Sequence, residues 1–72
     1  MQPTNGQRLL ASVLQCSVQE VPPYGSMETV SGWDSLAHMR LAAALEERLS
    51  RDLTSEELLE LESVEDIDRL LG

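Results

Sequence analysis

The chain has 72 residues, about half the length of a typical domain, so it can form only one small domain around one core. Thirteen acidic residues against five arginines give a net charge of −8, which argues against binding to nucleic acids and favours partners with basic faces. The single cysteine, Cys16, excludes an intramolecular disulfide, and the longest apolar run, 41–45, is far too short to span a membrane. We therefore expect a cytoplasmic monomer that contacts neither nucleic acid nor membrane.

The first half of the chain predicts one helix and a long loop. A helical stripe of leucine and valine begins at Leu9, and Thr4 can form a capping box with Gln7, which predicts a helix over 5–17. Proline and glycine in 22–25 prevent any regular element there, because proline lacks the amide hydrogen and glycine is conformationally loose. A long loop therefore separates the first helix from the second.

The second half predicts the longest helix and two more. Residues 35–50 contain neither glycine nor proline and are rich in good helix formers. Thr54 can cap a short helix, and Ser63 repeats the signal before an apolar stripe that lies opposite a solvated acidic face at 65–68. No segment alternates with the period of a strand. We predict an all-α fold, a small four-helix bundle with three longer helices and one short one.

The second helix carries two apolar stripes on a helical wheel. One stripe is predicted to face the core and consists of Leu41, Leu45, Leu49, His38 and Ala42. The second stripe comprises Leu36, Met39 and Ala43, and Arg40 is among the charges at its border. A small bundle covers one side of such a helix but hardly both. Either the long loop folds over the second stripe, or the second stripe stays exposed as a surface for partner docking.

The start of this helix places a hydroxyl where an anion is stabilised. Asp34 is a natural N-cap, and Ser35 follows it among amide groups without helical partners at the positive end of the helix dipole. A phosphodiester on the Ser35 hydroxyl would be stabilised there. A serine or aspartate at a helix start is usually only a cap. The hypothesis therefore depends on where this pair lies in the chain, at the start of the second helix.

Three segments extend this signal: Gly32-Trp33-Asp34-Ser35-Leu36 at the head of the second helix, Leu41 with Ala44-Leu45-Glu46-Glu47 along it, and Ser63-Val64-Glu65-Asp66-Ile67 near the chain end. Through them the chain, as a single carrier domain over 1–72, resembles the acyl carrier protein family, including the aminoacyl and peptidyl carriers of modular synthases. The resemblance implies that Ser35 receives 4′-phosphopantetheine from coenzyme A, and that the thiol of this arm carries acyl or aminoacyl groups as thioesters.

The resemblance also implies partners and a pathway type. Asp34 and Leu36 match flanking positions that a phosphopantetheinyl transferase and later partners contact. The later partners implied are an acyl- or aminoacyl-loading enzyme and downstream biosynthetic enzymes. In carriers of bacterial fatty-acid synthesis the residues after the motif are usually acidic, whereas residues 37–40 carry no acid here. We interpret this as a carrier for a specialised pathway, such as polyketide or nonribosomal peptide synthesis.

Other interpretations of the same residues are weaker. Ser35, His38 and Asp34 offer a nucleophile, a base and an acid, but His38 is predicted to face the core and no oxyanion pocket is expected in so small a chain. One histidine, with Cys16 in a different helix, makes no metal site. Trp33 is expected to anchor the loop to the helix start. The alternative from another class is a small helical adaptor without a prosthetic group that docks a partner through the second stripe.

Overall fold

The computed structural model describes residues 2–72, and within them the chain forms four α-helices: α1 (Asn5–Leu14), α2 (Ser35–Leu49), α3 (Ser55–Glu60) and α4 (Val64–Leu71). A single 3-10 turn, Val18–Glu20, follows α1. Three helices are longer and one is short, which confirms the predicted all-α bundle. Over this part of the chain the only β-type pairing is an isolated bridge. None of the helices described is long and apolar enough to cross a bilayer.

Side chains close the start of every helix at the positions that the sequence indicated. Capping boxes join Thr4 to Gln7 at α1, Thr54 to Glu57 at α3, and Ser63 to Asp66 at α4. At α2, Asp34 accepts a hydrogen bond from the Ala37 amide. Each cap satisfies amide groups that have no partner inside the helix, so it fixes where the helix begins.

The first helix is shorter than predicted. It ends at Leu14, because Gln15 adopts a left-handed conformation with φ 56° and its amide donates to carbonyls of the last turn. Cys16 therefore lies outside the helix, which corrects its predicted helical placement. Burial and the nearby Glu20 carboxylate raise the pKa of the Cys16 thiol, so the thiolate form is disfavoured.

The core sits where α1 packs against both α2 and α4. Leu10 of α1, Leu41 and Leu45 of α2, and Ile67 of α4 are all fully buried. The long loop adds further buried side chains, Val21, Val30 and Trp33. The loop therefore completes the core and leaves the second stripe uncovered.

The core face of α2 differs from the predicted stripe. Leu41 and Leu45 are buried as expected, but Leu49, His38 and Ala42 are only half-buried. Their place is taken by Ala37, which is buried, and by Ala44, which packs against the core. Helices can approach one another closely where the side chains between them are small. The face that α2 turns to the core is therefore rotated from the predicted stripe toward Ala37 and Ala44.

The acidic face predicted at 65–68 is only partly solvated. Asp66 and Asp68 are half-buried. Asp66 closes the cap of α4, and the Asp68 carboxylate accepts a 2.7 Å hydrogen bond from the Gly6 amide in the first turn of α1. A Cβ at residue 6 would lie 2.6 Å from this Asp68 oxygen, so glycine permits the close approach. The two acids therefore bind backbone amides instead of water alone.

Candidate functional site

The start of α2 presents a free hydroxyl on a fixed helix end. Asp34 Oδ1 accepts a 2.9 Å hydrogen bond from the Ala37 amide, which makes Asp34 the N-cap and Ser35 the first residue of the helix. Ser35 is exposed, and within residues 2–72 its hydroxyl has no hydrogen-bond partner. The Ser35 hydroxyl is therefore accessible to an incoming group.

A buried tryptophan holds the loop that leads to this serine. Trp33 is 3% exposed, and its Nε1 donates a 3.2 Å hydrogen bond to His38 Nδ1 one turn into α2. The Asp34 amide donates to the Gly32 carbonyl at 3.0 Å, which closes the turn before the helix. Trp33 thus anchors the loop to the helix start, as the sequence predicted.

The geometry does not assemble the serine–histidine pair that the sequence offers. Because His38 Nδ1 accepts from Trp33, the neutral ring carries its hydrogen on Nε2, which lies 3.4 Å from the Leu58 carbonyl oxygen of α3. Both ring nitrogens are therefore engaged, and neither pairs with the Ser35 hydroxyl. His38 is half-buried and hydrogen-bonded, and its ring connects α2 to α3.

The second stripe is a solvent-exposed surface. Leu36 is 58% and Met39 is 70% exposed, and Ala43 is exposed with them. Arg40 is also exposed and forms no ion pair within the described residues. The stripe and Arg40 thus lie on the same helix as Ser35, within its first three turns.

Two further apolar side chains, both on α3, are exposed, although the sequence did not predict it. Leu58 is 40% and Leu59 is 77% exposed. The His38 ring on α2 lies 3.4 Å from the Leu58 carbonyl oxygen, so α3 approaches α2 at this point. The sequence does contain a signal for this exposure, namely two adjacent leucines in a very short helix. A helix of six residues cannot turn both of them to the core.

Ion pairs and caps fix the charges at α3 and α4. Arg51 binds both carboxylate oxygens of Glu57 at 2.8 Å, and with the Thr54 amide it lowers the Glu57 pKa to about 2. Burial raises the pKa of Asp66, but hydrogen bonds from Glu62 and Ser63 outweigh this and lower it. These acids are therefore ionised parts of the structure.

The model of one protein family, the phosphopantetheine attachment site, matches residues 7–71. The chain belongs to this family. It is thus a phosphopantetheine-carrying carrier protein, and 4′-phosphopantetheine is its covalent prosthetic group. Proteins with this domain are generally non-catalytic, and they interact with a phosphopantetheinyl transferase and with biosynthetic enzymes. No curated protein matches the carrier. An adaptor without a prosthetic group does not account for the family match.

The residues at the start of α2 fit this prosthetic group. Attachment needs an accessible hydroxyl, which Ser35 offers, and space beside it. Gly32 has φ 87°, and a Cβ at this position would meet only Leu14 Cδ2, at 4.0 Å. A side chain at residue 32 would therefore occupy space next to the helix start that glycine leaves open.

Proposed function

We propose that Ser35 is the residue of this carrier that receives 4′-phosphopantetheine. Its exposed and unengaged hydroxyl at the first position of α2 is the observation that carries the proposal. In the transfer, Ser35 Oγ forms a bond to the phosphorus of the phosphopantetheine group, and the pyrophosphate bond of coenzyme A breaks. The hydroxyl proton passes to a base of the transferase, and adenosine 3′,5′-bisphosphate leaves.

The helix start favours the product of this reaction. The Ala37 amide is occupied by Asp34, whereas the amides of Ser35 and Leu36 have no partner within the described residues and lie at the positive end of the helix dipole. A phosphodiester on Ser35 is stabilised by these free amides and by the helix dipole. When bound, the group supplies a terminal thiol that holds acyl or aminoacyl groups as thioesters.

Intact mass tests the attachment residue. The carrier is incubated with coenzyme A, Mg²⁺ and a phosphopantetheinyl transferase of broad specificity, and we expect a gain of one phosphopantetheinyl group. Ser35→Ala is expected to gain none. Ser55→Ala is the matched control, because Ser55 is also exposed and also stands first in a helix. A wild type that gains nothing, or a Ser35→Ala variant that is still modified, contradicts the proposal.

We propose further that partner enzymes dock on the second stripe, with Arg40 at the centre of the contact. An enzyme that acts on the thioester must approach Ser35, because the arm is tethered there and its reach is finite. Exposed apolar side chains edged by charge are typical of such interfaces. Leu36, Met39 and Ala43 provide the apolar part, and Arg40 provides the charge.

The composition of the first turns of α2 supports a specialised pathway. Residues 37–40 carry no acid, whereas the carriers of bacterial fatty-acid synthesis are usually acidic there. A partner tuned to acidic residues loses those contacts with this carrier. We therefore propose that 1–72 acts as a single carrier domain in the cytoplasm and serves polyketide, nonribosomal peptide or related synthesis.

A further inference from the structure

A cleft of about 150 Å³ opens beside Ser35, between the end of α1, the end of the long loop and the start of α2. We name it the α1–α2 cleft, and its lining includes Val13, Leu14, Gly32, Asp34, Leu36 and Arg40. Residues 34 and 36 flank Ser35 on both sides in the chain. The cleft therefore begins where the arm is tethered, and it lies on the side of α2 that packs against α1.

The α1–α2 cleft has both polar and apolar walls, and its apolar part lies around Leu14 and Leu36. Leu14 is half-buried against the core, and Leu36 is largely exposed. At Gly32 the positive φ favours glycine, and the absent side chain leaves free the space in front of Leu14. Leu14 and Leu36 therefore offer apolar contacts to a small apolar group in an otherwise polar cleft.

The charge of the α1–α2 cleft comes from Arg40. Arg40 lines the cleft and stands one turn after Leu36 on α2, so the two side chains are neighbours on the helix surface. Arg40 has no ion-pair partner among the described residues. The other charged residue of the lining, Asp34, has one oxygen occupied by the Ala37 amide.

We propose that the α1–α2 cleft seats the part of the phosphopantetheine arm nearest to Ser35. The phosphodiester lies against Arg40, and the carbon that bears two methyl groups packs between Leu14 and Leu36. This inference rests on the proposed attachment at Ser35. An exposed ion pair contributes little, so the arm exchanges between the cleft and solvent, and a docked enzyme can withdraw it. The terminal thiol stays outside the cleft.

The experiment uses the full carrier, modified with a pantetheine arm whose two methyl groups are labelled with ¹³C, and no partner enzyme. Isotope-filtered NOE spectra are expected to show contacts from these methyl groups to the methyl groups of Leu14 and Leu36. In Arg40→Gln the intensities of these contacts are expected to fall about twofold, as for the loss of an exposed ion pair. Arg48→Gln, an exposed arginine farther along α2, is the matched control and leaves them unchanged.

The outcomes separate this inference from the attachment proposal. Intact mass first establishes whether the arm is on Ser35, and a chain that takes no arm overturns both. If the arm is attached but its methyl groups contact only Leu58 and Leu59, or contact nothing, the α1–α2 cleft is not its seat. Equal intensities in Arg40→Gln and in the wild type overturn the role of Arg40.

Discussion

The starts of α2 and α3 are built alike and differ in charge. Each has a polar cap followed by an exposed serine, Asp34 with Ser35 in one case and Thr54 with Ser55 in the other. The first turn of α2 contains no acid, whereas the first turn of α3 contains Glu56 and Glu57. Carboxylates there repel a phosphate and already neutralise the positive helix end.

The two helices also differ in how firmly the core holds them. Helix α2 has 15 residues and is held by buried core contacts, whereas α3 has six residues, none of them buried. An attachment point must hold its position while different enzymes act on the arm. Of the two helix starts, that of α2 therefore offers a phosphodiester both a first turn without acid and a helix anchored in the core.

The largest expected effect is the loss of stability when a core side chain is truncated, compared with the loss when the serine at the start of α2 is replaced. Leu45→Ala or Ile67→Ala should lower the free energy of unfolding by about 2 to 5 kcal/mol, because each removes a fully buried side chain. Ser35→Ala should cost about 1 kcal/mol or less, since the hydroxyl is exposed. Urea unfolding measures all three. If Ser35→Ala is as destabilising as Leu45→Ala, Ser35 is a structural residue and the comparison with Ser55 fails.

The caps give the next largest effect and sharpen the difference in anchoring. Asp34→Ala should lower the free energy of unfolding by about 1 to 2 kcal/mol, because the lost cap begins a helix that is packed into the core. Thr54→Ala at α3 should cost less, about 0.5 kcal/mol, because α3 can fray without opening the core.

Asp34→Asn serves as the control for this prediction, because asparagine also caps well and should leave stability nearly unchanged. Urea unfolding compares the three variants. Equal losses for Asp34→Ala and Thr54→Ala would mean that the two helix starts are anchored equally.

A smaller, kinetic effect is expected at Arg40. Reversing its charge in Arg40→Glu should leave folding unchanged, slow loading by the cognate enzyme, and speed the reaction with fatty-acid enzymes that have basic docking faces. A single exposed charge in the contact should change these rates several-fold, and less at high salt. Loading rates against salt concentration measure the effect, with Arg48→Glu as the control on the same helix.

Met39→Asp tests the apolar part of the same surface. If the cognate rate is indifferent to both Arg40→Glu and Met39→Asp in a folded, modified carrier, docking lies elsewhere. The acidic segment 56–68 then becomes the docking surface to test.

The smallest effect concerns pH and α3. The folded-state pKa of Glu57, about 2, is below its ordinary value of 4.5, so its ion pair stabilises the fold above pH 4.5 and this contribution is lost as the pH falls toward 2. Asp66, whose pKa is also lowered, acts in the same direction. The urea midpoint should therefore fall between pH 5 and pH 2, less steeply in Glu57→Gln. An identical pH dependence in both proteins would contradict this role of Glu57.

Local signals in the sequence were sufficient wherever the interacting groups are close in the chain. The capping boxes of Thr4 with Gln7 and of Thr54 with Glu57 span only a few residues, so the residue types and their spacing predict them directly. The exposed stripe was predicted as one of two alternatives, because nothing in the sequence showed where the long loop would pack.

Tertiary packing decided the rest. The sequence by itself determined the all-α bundle, its helix starts and the motif around Ser35, because these depend on hydrogen bonds and periodicity within a turn or two. Only the structure showed that Ala37 faces the core, that Asp68 binds the Gly6 amide, and that a cleft opens beside Ser35. Each of these depends on groups far apart in the chain, and their positions follow from how the helices pack together, which local patterns do not specify.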